Sequence, residues 1–120
     1  LMPWSPLARG LLAGARRGVT DRESTVRAAT DSYGHGLYDD QVNWDIVDAV
    51  RRVAEGRGVP MAQIALAWLL SRPQVAAPIV GATKLYQLEE ALGAVSLELS
   101  REEMGLLEAP YRPQPVRGII

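Results

Sequence analysis

The sequence contains no cysteine and a single histidine, His35, among its 120 residues. The lack of thiols excludes a disulfide framework, a cysteine nucleophile and a thiolate zinc site, and one imidazole is too few for an ordinary transition-metal site. We therefore expect no metal centre and a protein that suits a reducing compartment.

The chain also lacks an excess of either charge and any long apolar run. Its formal net charge of −1 gives no electrostatic reason to expect nucleic acid or an anionic membrane as a partner. Apolar runs stay below the roughly 18–20 residues that span a bilayer, and no basic-then-apolar leader opens the chain. These absences favour a cytoplasmic protein. Because the first residue is Leu1, within an apolar stretch, we expect a truncated chain.

The first third of the sequence predicts a strand end, a long loop and a helix. Residues 1–4 are apolar, and Pro6 excludes a right-handed helical conformation at Ser5. Residues 7–36 are rich in glycine and arginine without sustained periodicity, which indicates a loop, with a short helix near residues 6–13. Apolar positions three and four apart predict an amphipathic helix at 41–57, ended by Gly56 or Gly58.

The remaining sequence predicts three more helices and a strand. A nearly all-apolar helix at 61–71 must be largely buried, and the β-branched run at 75–80 predicts a buried strand. Thr83 is the expected N-cap of an amphipathic helix at 84–94. A capping box opens the last helix, at 100–109, and the prolines beyond it hold the tail extended.

This order of elements is typical of an α/β protein with a parallel sheet covered by helices. Two strands make a sheet that is only marginally stable in water, and the apolar helix at 61–71 requires further neighbours. The sequence therefore predicts part of a larger barrel or sheet.

Three segments resemble consecutive signatures of the aldo-keto reductase superfamily. They are WSPLARGLLAG at 4–14, GVPMAQIALAWLL at 58–70 and PIVGATK at 78–84, and they are followed by Gln87, Glu90 and agreeing segments at 97–100 and 111–113. The resemblance covers nearly the whole chain. It implies a (β/α)8 TIM barrel, of which residues 1–120 would supply strands 7 and 8, their helices, one extra helix and the C-terminal tail. The chain would thus be a partial NADP-dependent oxidoreductase domain.

The turn after the second predicted strand favours a phosphorylated dinucleotide. Gly81 and Ala82 allow close approach of a ligand, Thr83 supplies a hydroxyl, Lys84 a cation, and the helix that follows directs free N–H groups outward. This set suits an adenosine 2′-phosphate, hence NADP(H) rather than NAD(H). The resemblance implies that Thr83 and Gln87 contact the phosphate and the adenosine, and that Glu90 contacts the adenine amine.

The turn after the first predicted strand carries the other expected contacts. The resemblance implies that Trp4 lies against the nicotinamide, while Ser5, Leu7 and Gly10 line the pyrophosphate. The basic loop at 9–27, beginning with Arg9, could fold over the cofactor as a clasp. The chain departs from the family pattern at two cofactor positions, with Ala15 where a lysine is common and Ala91 where many members have asparagine.

No catalytic residue matches the family pattern, in which an Asp, Tyr, Lys and His set comes from earlier strands. The chain therefore reads as an inactive fragment of an NADPH-dependent reductase of aldehydes and ketones, with a small carbonyl substrate in the complete barrel. Two alternatives remain: a non-catalytic NADPH-sensing regulatory subunit, or a helical protein-interaction module. Taken alone, Trp4 is equally a core aromatic, and residues 81–84 are an ordinary strand-to-helix turn.

Overall fold

The computed structural model describes residues 1–15 and 43–115 of the chain. In chain order the helices are a 3-10 helix at Ala8–Ala13, α1 at Trp44–Arg57, α2 at Met61–Leu70, α3 at Leu85–Gly93, a 3-10 turn at Ala94–Ser96 and α4 at Arg101–Glu108. The four longer helices predicted from the sequence are confirmed to within about one helical turn. The short helix predicted near residues 6–13 is a 3-10 segment interrupted by non-helical backbone angles at Arg9 and Gly10.

Helix α1 starts later than predicted and ends at one of the two expected glycines. The predicted start at Gln41 lies outside the described residues, and Asn43 caps the helix by accepting a hydrogen bond from the Asp45 backbone N–H at 3.1 Å. Gly58 ends it with a left-handed φ of 66°, a conformation in which glycine has no steric penalty.

The core lies between α1, α2 and α4, as the apolar patterns require. Helix α2 buries most of its length, and Ile64 is 0% exposed. Residues that pack together around it are Val50, Val53, Ala54 and Leu107. The predicted burial of α2 is thus confirmed. Trp68, within this helix, is only half-buried, and its indole nitrogen donates to the exposed Glu108 carboxylate at 3.0 Å.

The prediction of a buried strand at residues 75–80 is wrong for the described chain. This segment and residues 1–4 are extended and form a single isolated parallel bridge, between Trp4 and Ile79. Ile79 is 55% exposed. The segment has only one extended neighbour among the described residues, and a sheet needs more strands and a covering layer to become regular and buried.

Backbone hydrogen bonds hold the two extended segments together in the predicted parallel orientation. The Leu1 carbonyl accepts from the Ala76 N–H at 2.7 Å, and the Pro3 carbonyl accepts from the Ile79 N–H at 2.9 Å. The Leu1 backbone nitrogen also donates to the Gln74 carbonyl at 2.6 Å. The α/β prediction therefore holds for strand direction, although the described residues form no regular strand.

Helix α3 presents its apolar face to solvent. The face predicted from the sequence includes Leu85, Leu88, Leu92 and, just beyond the helix, Val95, and all four side chains are exposed, Leu85 by 71%. A leucine face of this size on an otherwise polar helix usually packs against other protein. Among the described residues it has no such cover.

A reciprocal capping box starts α4, as predicted. The Ser100 hydroxyl accepts from the Glu103 N–H at 3.1 Å, and the Glu103 carboxylate accepts from the Ser100 N–H at 2.8 Å. Arg57 of α1 lies 3.1 Å from the same carboxylate and also donates to the Glu98 carbonyl. The hydrogen bond from the Ser100 backbone, with a smaller contribution from the Arg57 charge, lowers the pKa of Glu103 below its ordinary value.

This lowered pKa makes a pH-dependent contribution to stability. Because the folded state holds Glu103 ionised, the stabilisation is present at neutral pH and is lost as the pH falls below about 4. We expect Glu103→Gln to lower the free energy of unfolding by about 0.5–1 kcal/mol at pH 7 and by much less at pH 3. Urea unfolding at both pH values measures this, with the exposed Glu102→Gln on the same helix as control. An equal loss at both pH values would contradict the prediction.

Candidate functional site

Both turns that the sequence marks as cofactor-binding leave the paired segments at the same end. Trp4 and Ile79 are partners in a parallel bridge, so the chain runs in the same direction through both. The first turn begins directly after Trp4, and the second begins with Gly81, shortly after Ile79. The carboxyl ends of parallel strands are where ligands bind in α/β folds, so this end is the candidate site.

The first turn has an unusual backbone. Ser5, Ala8 and Arg9 adopt positive φ angles of 51°, 49° and 55°. Residues other than glycine rarely do so, and each such residue costs about 1–3 kcal/mol unless its surroundings enforce it. The prediction that Ser5 is not in a right-handed helix is confirmed. The positive φ of Ala8 was not predicted, because alanine carries no turn signal.

Short-range backbone hydrogen bonds hold this turn in its shape. The Leu7 carbonyl accepts from the N–H groups of Gly10 and Leu12, both at 3.1 Å. Gly10 has a φ of 101°, and a Cβ atom there would lie 3.0 Å from the Ala15 side chain. Conformation and space therefore both favour glycine at position 10.

The side chains of the first turn are accessible to a ligand. Trp4 is 60% exposed, so within the described residues it is not a core aromatic, contrary to the alternative interpretation from sequence. Ser5, Leu7 and Arg9 are half-buried. The Trp4 side chain is thus accessible to a flat ring system that could stack on it. The predicted clasp at residues 9–27 extends past residue 15, and its remaining part lies outside the described residues. His35 and the arginines at 16, 17, 22 and 27 lie outside them as well.

In the second turn, three donors converge on one oxygen. The Gln87 side-chain carbonyl accepts from the Thr83 N–H at 2.9 Å, from the Lys84 N–H at 3.3 Å and from the Thr83 hydroxyl at 3.3 Å. The prediction that Thr83 is the N-cap of α3 is wrong: Lys84 occupies that position. The longer Gln87 side chain reaches back from the first turn of the helix and accepts from the N–H groups of Thr83 and Lys84, which precede the helix.

The donor set of the second turn fits a phosphate group. Two backbone N–H groups and a hydroxyl already hold one oxygen atom, and phosphate oxygens are stronger acceptors for the same donors. Lys84 is exposed and forms no ion pair with the described residues, so its charge is available to an anion.

Space around the second turn is also open. No heavy atom lies within 4 Å of the position that a Cβ would take at Gly81, and the φ of this glycine is not left-handed. Nothing in the described chain requires glycine there, so the open position leaves room for a close ligand. Ala82 is exposed beside it. Glu90 is half-buried three residues after Gln87, on the same side of α3.

Most side chains of the two turns are exposed or half-buried. Two cavities, of about 1010 and 610 Å³, lie among the described residues. They are lined by α1, α2, α4 and the flanks of the first turn, and none of the predicted cofactor contacts lines either. Ligand sites usually enclose most of their ligand, so a dinucleotide at the two turns would need further protein around it.

Residues 1–15 and 43–115 contain neither a metal-binding cluster nor a membrane-spanning helix. No group of three or more His, Asp and Glu side chains in these ranges could hold a metal ion. None of the helices in this part of the chain combines the length and the apolar character needed to cross a bilayer.

Comparisons with known proteins agree on one family. The model of the aldo/keto reductase family matches residues 1–112. The chain is 42% identical over 120 residues to a putative aryl-alcohol dehydrogenase of Schizosaccharomyces pombe, covering 100% of this chain and 33% of that protein. It is 44% identical over 119 residues to an aldo-keto reductase of Metarhizium robertsii, covering 98% and 31%. A versiconal hemiacetal acetate reductase of Aspergillus parasiticus is 40% identical over 119 residues, covering 97% and 33%.

The chain thus spans about a third of the length of the curated relatives that it matches. The resemblance seen in the sequence motifs is confirmed, and the family implies a TIM barrel. The chain belongs to the aldo/keto reductase family.

Proposed function

We propose that this chain is the C-terminal, cofactor-binding part of an NADP(H)-dependent reductase of aldehydes and ketones. The observation that carries the proposal is the parallel bridge between Trp4 and Ile79, from which both predicted cofactor turns leave in the same direction. Family membership supports an oxidoreductase, and the donors around Thr83 and Lys84 support a phosphorylated cofactor.

In this proposal residues 1–120 form one part of a (β/α)8 barrel, with the two extended segments as its strands 7 and 8. The exposed apolar face of α3 and the exposure of Ile79 support it, because the rest of a barrel would cover both. The greater length of the relatives supports it as well. The proposal also accounts for the lack of a regular sheet in the described residues, because each strand of a barrel needs a neighbouring strand on both sides.

The cofactor in this proposal spans the two turns. The Trp4 ring stacks on the nicotinamide, and the segment from Ser5 to Gly10 follows the pyrophosphate. Thr83, Lys84 and Gln87 hold the 2′-phosphate and adenosine, and the remaining adenine contact is Glu90. When bound, NADPH supplies a hydride to the carbonyl carbon of a small aldehyde or ketone. The chain's own residues bind and orient the cofactor for that transfer.

The proton donor for the carbonyl oxygen lies, in this proposal, in a part of the barrel other than these 120 residues. None of the candidate residues in the two turns matches the family's catalytic set, so the chain alone should not turn over. A non-catalytic NADPH-sensing subunit remains a second candidate, because it would use the same two turns without a proton donor. The presence or absence of turnover in the full-length protein separates the two.

The test is a titration of the full-length gene product with NADPH and NADH, followed by tryptophan fluorescence. We expect NADPH to quench and to bind more tightly than NADH by about tenfold or more, because the 2′-phosphate adds charge-assisted hydrogen bonds. In Trp4→Leu most of the quenching should disappear. Trp68→Phe is the matched control, because Trp68 lies at the end of α2 against Arg72 and Glu108 and should leave the quenching intact. No response of the full-length protein to either dinucleotide would refute the proposal.

A further inference from the structure

A cavity of about 610 Å³ lies between α1, α2 and α4, and none of the predicted cofactor contacts lines it. Its lining is mainly apolar and includes the half-buried Leu12, Ile46 and Leu69, next to the buried core residues Val50 and Ile64. A volume of this size lies within the range of small-molecule pockets, about 300–1,000 Å³, and exceeds the voids of a close-packed interior. The described residues thus leave apolar space beside the core that a molecule of one or two rings would fill.

Three side chains at this cavity form a polar cluster. The Arg72 guanidinium carbon lies 4.5 Å from the centroid of the Trp68 ring. One oxygen of Glu108, Oε1, accepts from the Trp68 indole nitrogen at 3.0 Å and also from Arg72 Nη2. All three residues line the cavity, and the Arg72 and Glu108 side chains are 32% and 44% exposed, which places them at its mouth. Because the two charges pair, the cluster as a whole is neutral.

The ion pair between Arg72 and Glu108 keeps one donor and one acceptor for a ligand. A guanidinium group has several N–H donors, and a carboxylate has two acceptor oxygens. Within residues 1–15 and 43–115, neither Arg72 Nη1 nor Glu108 Oε2 makes a hydrogen bond. Arg72 Nε is buried without a partner in the same residues, so a ligand does not reach it. The mouth of the cavity therefore offers Nη1 as a donor and Oε2 as an acceptor.

We propose that this cavity is a second small-molecule site, which binds a neutral molecule with an apolar ring system and a head group that both donates and accepts, as an aryl carboxamide has. The ring fills the apolar space beside Leu69, the carbonyl oxygen accepts from Arg72 Nη1, and the amide N–H donates to Glu108 Oε2. A charged head group gains less, since one member of the ion pair repels it. The inference goes beyond the proposed function and does not depend on it, because no predicted dinucleotide contact lines the cavity.

Calorimetric titration of the full-length protein without cofactor tests this proposal with three probes. Benzamide has both a donor and an acceptor, N,N-dimethylbenzamide lacks the donor, and benzoate is an anion of similar size. None of the three is an aldehyde or a ketone, so each stays intact in an active reductase. We expect benzamide to bind with a dissociation constant of about 1 mM or tighter. The dimethyl amide should bind about three- to tenfold more weakly, and benzoate about tenfold or more.

Two pairs of variants assign the binding to the cavity. Leu69→Trp fills the space and should abolish benzamide binding, whereas Leu70→Trp, at an exposed position that does not line the cavity, should leave it unchanged. Glu108→Gln removes the negative charge and should improve benzoate binding by about tenfold, because the charge of Arg72 is then uncompensated. Glu102→Gln, an exposed carboxylate on the same helix, is the matched control and should change no affinity.

Failure of wild type to bind benzamide overturns the inference. A Tm of Leu69→Trp several degrees below that of wild type would then show that another part of the full-length protein fills the cavity. Equal benzamide affinity in wild type and Leu69→Trp also overturns it, because the probe would then bind elsewhere. If Leu69→Trp does not fold, the benzoate affinity of Glu108→Gln decides, and an unchanged value overturns the inference. Dinucleotide binding tests the proposed function separately, so that function survives each of these outcomes.

Discussion

Replacing Ile64 with alanine is expected to lower the free energy of unfolding by about 2–5 kcal/mol. Ile64 is 0% exposed, and it packs against Val50, Val53 and Leu107 at the junction of three helices. The substitution removes three buried carbon atoms and leaves a cavity that these side chains cannot fill without moving. Contacts among α1, α2 and α4 are lost together, so the effect should be among the largest of any single substitution.

Urea unfolding of the full-length protein measures this effect. Ile64→Val gives an intermediate point, with an expected loss of about 0.5–1.5 kcal/mol. Leu106→Ala is the control on α4, because Leu106 is exposed and its truncation should change stability by no more than about 0.5 kcal/mol. If Ile64→Ala cost no more than Leu106→Ala, the core would not lie at this junction.

Replacing Lys84 with glutamine is expected to weaken the binding of NADPH by about 10- to 100-fold while leaving NADH nearly unaffected. In the proposed function the ammonium group of Lys84 faces the 2′-phosphate, which NADH lacks. Because Lys84 is exposed and forms no ion pair with the described residues, its loss should leave stability almost unchanged. Lys84→Gln therefore tests the binding of NADPH without altering the stability of the protein.

Equilibrium titration of the full-length protein with both dinucleotides provides the measurement. The exposed Arg101 on α4 is the matched cation, and Arg101→Gln should alter neither affinity. Higher ionic strength should reduce the preference of wild type for NADPH, since exposed charges are screened. Equal weakening of NADPH and NADH in Lys84→Gln would argue against a 2′-phosphate at this turn.

The helices were predictable from sequence because their signals are local. Apolar spacing in α1 and α2, and the Ser100 and Glu103 pair before α4, each depend on residues within one or two helical turns. The strand at 75–80 was not predicted correctly, because a strand becomes regular only when neighbours pair with it. The same sequence run is therefore extended but exposed in this chain.

The candidate site was predictable in place but not in detail. Sequence motifs located both turns, and the parallel bridge fits that placement. The identity of the helix cap was missed because residue preference favours Thr83, whereas the helix begins one residue later and the Thr83 hydroxyl donates to Gln87 instead of accepting from the helix. The positive φ angles of Ala8 and Arg9 were also beyond prediction, since neither residue type favours them.

The pairing of the two extended segments has a consequence for the order of folding. The hydrogen bond between Leu1 and Gln74 joins residues 73 positions apart, whereas α1 and α2 are near neighbours along the chain. Closing the longer loop costs more chain entropy, so we expect the helical pair to assemble early and the two turns to meet late. Contacts that form last and have few partners are also the first to open. A ligand that bridges both turns would therefore stabilise the pairing of residues 1–4 with residues 75–80.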